Sequence, residues 1–181
     1  MVVIDLVACI LIADFISGVI HWAEDTYAVP TRNEFFNDNV VMPNIAHHRN
    51  PAAICRGTYW ENSYVTTTLA AGFMLAIFLI GIHAWQPYFI ACLAAQFNQT
   101  HAWAHGGKVP NWVGWLQKTG IMISVGHHIV HHRKPYMVRY CVGTNLLNPI
   151  LDKIKIWRIM ELCLRLVGAK VKRGSKEREG Y

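Results

Sequence analysis

The chain has 181 residues, 53% of them hydrophobic and only 15% charged, with 17 Lys and Arg against 11 Asp and Glu. That length suits a single domain over 1–181, and an apolar content above the soluble average excludes an ordinary soluble fold as the first expectation. The basic excess gathers near the C-terminus, in KVKRGSKERE (170–179), which argues against nucleic acid as a partner and for anionic lipid headgroups. The five cysteines, Cys9, Cys55, Cys92, Cys141 and Cys163, form no CxxC pair, so neither a disulfide framework nor a zinc ribbon is implied.

In chain order, residues 2–20 form the first stretch long and apolar enough to cross a hydrocarbon core. It lacks a basic leader and carries Asp5 and Asp14, so it reads as a retained span rather than a cleaved signal. Residues 64–82 form the second span, free of any ionisable group, and 88–104 the third, interrupted by Gln96, Asn98 and Gln99. Polar groups inside a span face a bundle interior or a site, so the first and third spans are expected to carry function at their ends. The short turn His83–Pro87 makes the last two spans an antiparallel hairpin. Every Lys and Arg lies between the first two spans (Arg32, Arg49, Arg56) or after the third (Lys108 onward), so all share one side, which the positive-inside rule makes cytosolic. Residues 112–126 (WVGWLQKTGIMISVG) are apolar but short for a fourth crossing, with Lys118 in their middle, and are expected to form a helix in the interface plane, a re-entrant element being the alternative. Residues 151–167 alternate Ile154, Trp157, Leu162 and Leu166 with Lys153, Lys155, Arg158 and Arg165, which reads as a basic amphipathic helix on the membrane surface. The expected fold is therefore all-α: an integral-membrane helical bundle of about three spans with interfacial helices.

Nine of the ten histidines fall in tight groups: His21 beside Asp25, His47 with His48, His101 with His105, and His127, His128, His131 and His132. Residues four apart on a helix lie nearly above one another, so HAWAH can aim His101 and His105 at one metal. In HHIVHH the pairs 127/131 and 128/132 can do the same side by side. Asp14, Gly18, His21 and Asp25 form one stripe on the first span. Asp14 is placed to bond a ligand imidazole and fix its tautomer, or else to act as a buried packing group. Asn98 and Asn145 are further supporting candidates. The topology gathers these nine histidines at the cytosolic face and leaves only His83 opposite. So many imidazoles exceed the needs of a structural zinc and suit two ions with four or five nitrogen ligands each, which fits a non-haem di-iron site distinct from the Glu-x-x-His carboxylate bundles. A metal transporter or sensor without catalysis is the alternative of another class, although a transport path would need ligands near mid-membrane.

The segments ADFISGVIHWAEDT (13–26), HHRNPAAICR (47–56), NQTHAWAH (98–105) and HHIVHHRKPYMVRYCVGTNLLNPILDKIKIWR (127–158), in that order, resemble the Kua/CarF family of lipid desaturases over nearly the whole chain. By this resemblance His21, His47, His48, His101, His105, His127, His128, His131 and His132 match the family's histidine pattern, and Asp25 its neighbouring acid. The resemblance implies two iron ions, and the removal of two hydrogens from adjacent carbons of a membrane lipid at the expense of dioxygen and two electrons. The electrons would come from cytochrome b5 or a ferredoxin-like donor docking on the basic cytosolic surface. HHRNPAAICRGTYWENS is more similar to the ether-lipid branch, with Asn50 where an acid is expected, whereas HHRKPYMVRYC is similar also to the plastid branch that desaturates an acyl chain of phosphatidylglycerol. A hydroxylase on the same site stays open. The first span begins at once, as in a compact form of the family. The implied location is the endoplasmic reticulum, a bacterial inner membrane or a plastid, according to source.

Overall fold

The computed structural model describes residues 2–172, and among these the regular structure is entirely helical. Residues 173–179 of the basic C-terminal flank lie outside the described residues. The chain runs through α1 (Val2–Tyr27), α2 (Glu34–Phe36), a π-helical turn (Asn37–Val41), α3 (Met42–Arg49), a 3-10 segment (Pro51–Arg56), α4 (Tyr59–Leu79), α5 (Trp85–Ala95), α6 (Phe97–Ala104), α7 (Asn111–Thr119), α8 (Val125–His128), α9 (Leu147–Lys153) and α10 (Ile156–Leu166).

Two helices, α1 and α4, are long and apolar enough to cross a membrane. Helix α1 is longer than the expected 2–20, so His21 and Asp25 lie within it. Its first turns expose Val2, Val3, Ile4 and Val7, while Asp14, Gly18, His21 and Asp25 are buried as one stripe. Helix α4 starts before the expected Tyr64, because Thr58 and Glu61 form a capping box: the Thr58 hydroxyl accepts from Glu61 N–H at 3.3 Å, and the Glu61 carboxylate accepts from Thr58 N–H at 2.7 Å. Much of α4 stays bare, with Leu69, Phe73, Leu75, Phe78 and Leu79 exposed. An apolar face on this scale is what a lipid solvent, rather than water, tolerates.

The expected third span is two helices that meet at Gln96, and neither reaches the length of a crossing alone. The cause is a helix–helix contact: the Thr66 hydroxyl donates to the Ala95 carbonyl at 3.0 Å, and Tyr59 donates to the Gln96 side chain at 2.6 Å. Helix α5 packs against both α1 and α4.

The expected helix over 112–126 is also divided. Helix α7 stops at Gly120, in the left-handed region at φ 76°, and α8 starts afresh from Ser124, whose hydroxyl accepts from His127 N–H at 3.3 Å. The expected 151–167 helix becomes α9 and α10, broken at Lys155 (φ 56°). Helix α10 faces two ways. Trp157 and Glu161 are buried, with the Trp22 indole N–H donating to Glu161 at 3.3 Å, whereas Ile154 before it and Leu162 and Leu166 along it are exposed.

A strap of irregular chain, 138–146, lies along α1 between α8 and α9. Gly18 lets it come close, since a Cβ there would stand 2.6 Å from Cys141 Sγ and 2.9 Å from Trp157. Polar side chains then satisfy the strap's backbone. Asp14 accepts from Gly143 N–H at 2.8 Å, Thr144 N–H at 3.1 Å and the Thr144 hydroxyl at 2.6 Å. Ser17 accepts from Val142 N–H at 3.1 Å, and Thr100 donates to the Val142 carbonyl at 3.0 Å. Asn148 brackets Cys141 through both its N–H (2.9 Å) and its carbonyl (2.8 Å). A buried backbone without a ladder partner needs such side chains.

Candidate metal centre

Side chains from α1, α3, α6, α8 and the turn after α8 converge where these elements end. They form two adjoining donor groups. The first is His47, His101, His105, His128 and His132; the second is His21, Asp25, His48 and His131. Adjacent residues separate cleanly, with His47 and His48 on α3 facing different groups and His131 and His132 doing likewise. The two groups touch, the His21 and His101 rings lying 5.1 Å apart between centroids.

In the first group His128 Nε2 stands 2.8 Å from His101 Nε2, 3.0 Å from His105 Nε2 and 3.1 Å from His132 Nε2, and His101 and His105 are 3.2 Å apart. Hydrogen bonding alone cannot account for this. A ring nitrogen carries either one proton or one lone pair, so it cannot bond three others, and no triangle of such atoms can be satisfied throughout. A central ion does account for it, because two nitrogens about 2.1 Å from one ion at right angles stand about 3.0 Å apart. Burial, and next the neighbouring imidazoles His105 and His131 respectively, hold His47 and His128 well below the ordinary histidine pKa; burial and then His131 push His132 down to about 2. All three are neutral at physiological pH, the form that donates a lone pair.

The second group has a carboxylate at its centre. Asp25 Oδ1 is 2.8 Å from His48 Nε2, while Oδ2 is 3.3 Å from His131 Nε2 and 4.0 Å from His21 Nε2. The far side of each of two rings is anchored. His21 Nδ1–H donates to the Tyr140 carbonyl at 3.0 Å and His131 Nδ1–H to the Val138 carbonyl at 2.8 Å. Each bond puts the proton on Nδ1 and leaves the Nε2 lone pair facing inward, the usual way a protein orients a metal-binding imidazole. His21 Nε2, His131 Nε2, His47 Nε2 and Asp25 Oδ2 are buried with no hydrogen-bond partner. Buried donor atoms so aligned fit a metal ion.

Some expected roles differ. Asp14 bonds no ligand imidazole, and its carboxylate is spent on the strap, closer to the alternative of a buried packing group; the imidazole of His21 is oriented by the Tyr140 carbonyl instead. Asn145 acts one step removed, accepting from Ser124 N–H at 3.0 Å and donating to the Ser124 hydroxyl at 3.1 Å, where α8 begins. Asn98 is half-buried on α6 and makes no side-chain hydrogen bond to a donor histidine among the described residues. His127 lies in neither group. α8 ends at His128, so 127 and 131 do not share a helix face, and Arg139 Nη1 donates to His127 Nδ1 at 3.0 Å. Burial, and then the Arg139 charge, hold its pKa down to about 4. His83 stands apart, beside Phe78. The anchors at Val138 and Tyr140 escape sequence reading because a backbone carbonyl carries no residue signature. Ser17 had a signal, three residues past Asp14 on the buried stripe.

A model of the lipid desaturase domain matches residues 10–174. The chain is 34% identical over 164 residues, 85% of its length, to fatty acid desaturase 4-like 2, chloroplastic, of Arabidopsis thaliana. It is 32% identical over 188 aligned positions, 94% of its length, to plasmanylethanolamine desaturase 1 of Mus musculus, and 29% identical over 160, 83% of its length, to plasmanylethanolamine desaturase of Myxococcus xanthus. It spans 56%, 68% and 56% of these relatives' own lengths, in that order. No solved structure matches it. With nearly all of the chain covered by one domain model, the chain belongs to the lipid desaturase family.

Proposed function

We propose that the protein is a membrane-embedded desaturase in which His47, His101, His105, His128 and His132 hold one iron ion, and His21, Asp25, His48 and His131 a second. The observation that carries this reading is the pair of adjoining donor groups, eight imidazoles and one carboxylate, two of whose members, His21 and Asp25, lie near the end of a helix fit to cross a membrane. Imidazole-rich sites suit iron among the first-row metals, and neutral rings leave room for the charge of the ion. When bound, two irons cycling between Fe2+ and Fe3+ supply the oxidation of an unactivated C–H bond by dioxygen. The chain's own part is to orient the ions, shield them from water and present the lipid.

The substrate in this reading is a 1-O-alkyl ether phospholipid. The first two carbons of its alkyl chain lose one hydrogen each to form a vinyl ether, while dioxygen takes up two electrons and two further protons to leave as two waters. The mouse and Myxococcus relatives, named plasmanylethanolamine desaturases, support this choice. The Arabidopsis relative, named a fatty acid desaturase, supports an acyl chain instead. The electron donor is a small acidic protein such as cytochrome b5 or a ferredoxin. In the membrane α1, α4 and the α5–α6 pair cross, and the donor groups lie on the cytosolic face, the side of Arg32, Arg49, Arg56 and every basic residue from Lys108 on.

The test is expression in cells that lack plasmalogens, with lipid mass spectrometry. New acid-labile ether lipids lighter by two hydrogens are expected. A two-hydrogen loss in an acyl chain would assign the protein to the acyl branch, and a gain of one oxygen would make it a hydroxylase. An unchanged lipidome from iron-loaded protein would overturn the catalytic reading.

A further inference from the structure

Building on the two-metal reading above, we infer that His127 is not a metal ligand but one end of a clamp, His127–Arg139–Asp152, that positions two ligand imidazoles at once. Arg139 stands between the two carbonyls that anchor the second donor group. Val138 on one side accepts from His131, and Tyr140 on the other accepts from His21. A turn of this short segment would therefore move both anchors together.

Arg139 sits at φ 57°, a region that a residue with a side chain takes up only where its surroundings impose it. They impose it from both ends. Its N–H donates to Asp152 Oδ1 at 3.2 Å on α9, and its Nη1 donates to His127 Nδ1 at 3.0 Å on α8. A guanidinium has only donors, so His127 Nδ1 is the acceptor and the ring's proton resides on Nε2. One nitrogen is then occupied by Arg139 and the other carries a hydrogen, which leaves no lone pair for an ion. His127 also belongs to neither convergent group. Its side chain serves as a fixed post. Through Arg139 it holds the strap against α8, and so keeps His21, from the first helix, and His131, from more than a hundred residues later, in one orientation. Removing the partner that orients a ligand imidazole typically costs 10–100-fold in metal affinity.

The test uses the full chain in detergent, loaded with iron, and follows iron per chain during titration with a chelator together with the Mössbauer spectrum. His127→Asn keeps an acceptor near the Nδ1 position for Arg139 but has nothing where Nε2 was, whereas His127→Leu and Arg139→Met each break the clamp. The Asn variant should hold both irons as the unaltered protein does. The Leu and Met variants should give up one iron at roughly 10–100-fold less chelator, with the spectrum of the other iron unchanged. If the Asn variant loses iron as readily as the Leu variant, His127 is a ligand and the clamp is overturned. If Arg139→Met keeps both irons at the unaltered chelator concentration, the clamp is overturned as well; should that variant not fold, the His127 pair decides alone. Unaltered protein that takes up no iron would instead sink the two-metal reading itself.

Discussion

The two donor groups lie side by side but are built by different means. The five-histidine group is local in design. His101 and His105 are one turn apart on α6, and His128 and His132 are also four apart, with Nε2 atoms 3.1 Å from each other. The outer nitrogens of His47, His128 and His132 have no partner, so these rings are held by packing against one another. The group around Asp25 depends on distant chain. Two of its rings are anchored to carbonyls of the strap, and the strap in turn rests on Asp14, Ser17 and Gly18. One group is all neutral donors and partly open at His105 and His132; the other carries a negative charge and is closed around His21, Asp25 and His131. Ions held there would therefore be inequivalent, with the carboxylate favouring the more highly charged ion.

The comparison breaks most completely at His128. Its replacement by Ala removes the nitrogen that meets three others. Loss of the iron from the five-histidine group, retention of the other, and an activity loss beyond the 10–100-fold of an orienting partner are expected, read by iron analysis and product formation. Acid acts on the five-histidine group. His47, His128 and His132 are held neutral in the folded protein, His132 at a pKa of about 2 against an ordinary 6.5. The unfolded chain therefore binds more protons below about pH 6.5, and stability is full above that value and falls progressively as the pH drops toward the folded values. Thermal unfolding at a series of pH values checks this, and iron retention should fall in the same window because protons compete with the metal. Asp25→Asn keeps the shape and removes the charge, so the group around it should weaken while the five-histidine group keeps its iron, visible as one altered Mössbauer signal. Gly18→Ala pushes a methyl into Cys141 and Trp157 and should cost about 1–3 kcal/mol in unfolding measurements, with iron near Asp25 released before the rest. Asn98→Ala should be the mildest, within about 0.5 kcal/mol and without effect on either ion.

Helical spacing made the local group legible. HAWAH and the stripe through Asp14, Gly18, His21 and Asp25 read directly as one-sided, because the α-helical period needs only sequence, whereas the 128/132 pair meets through the turn after α8. Where the chain leaves the helix, that ruler fails. Helix α8 ends at His128, so His131 turns to Asp25 and His127 to Arg139. The break at Gln96 depends on hydroxyls from α4, and the break at Lys155 on the packing of Trp157 against α1. Such causes are tertiary and leave no local trace. Gly18 and Gly143 could be seen in the sequence, but not what each approaches: the strap and Trp157 in one case, Asp14 and Phe97 in the other.

The strap also sets an order on biosynthesis. His21 and Asp25 emerge from the ribosome early, yet their group lacks His131 and the Tyr140 anchor until more than two thirds of the chain has been made. The other group likewise waits for His132. Until then the Asp14 carboxylate lies in an apolar helix without Gly143 and Thr144, the partners that later satisfy it, a costly arrangement within a bilayer. Neither donor set can therefore be completed while the first helix is being inserted. The centre can assemble only after translation has passed His132, and a nascent chain truncated before His131 leaves both donor groups incomplete.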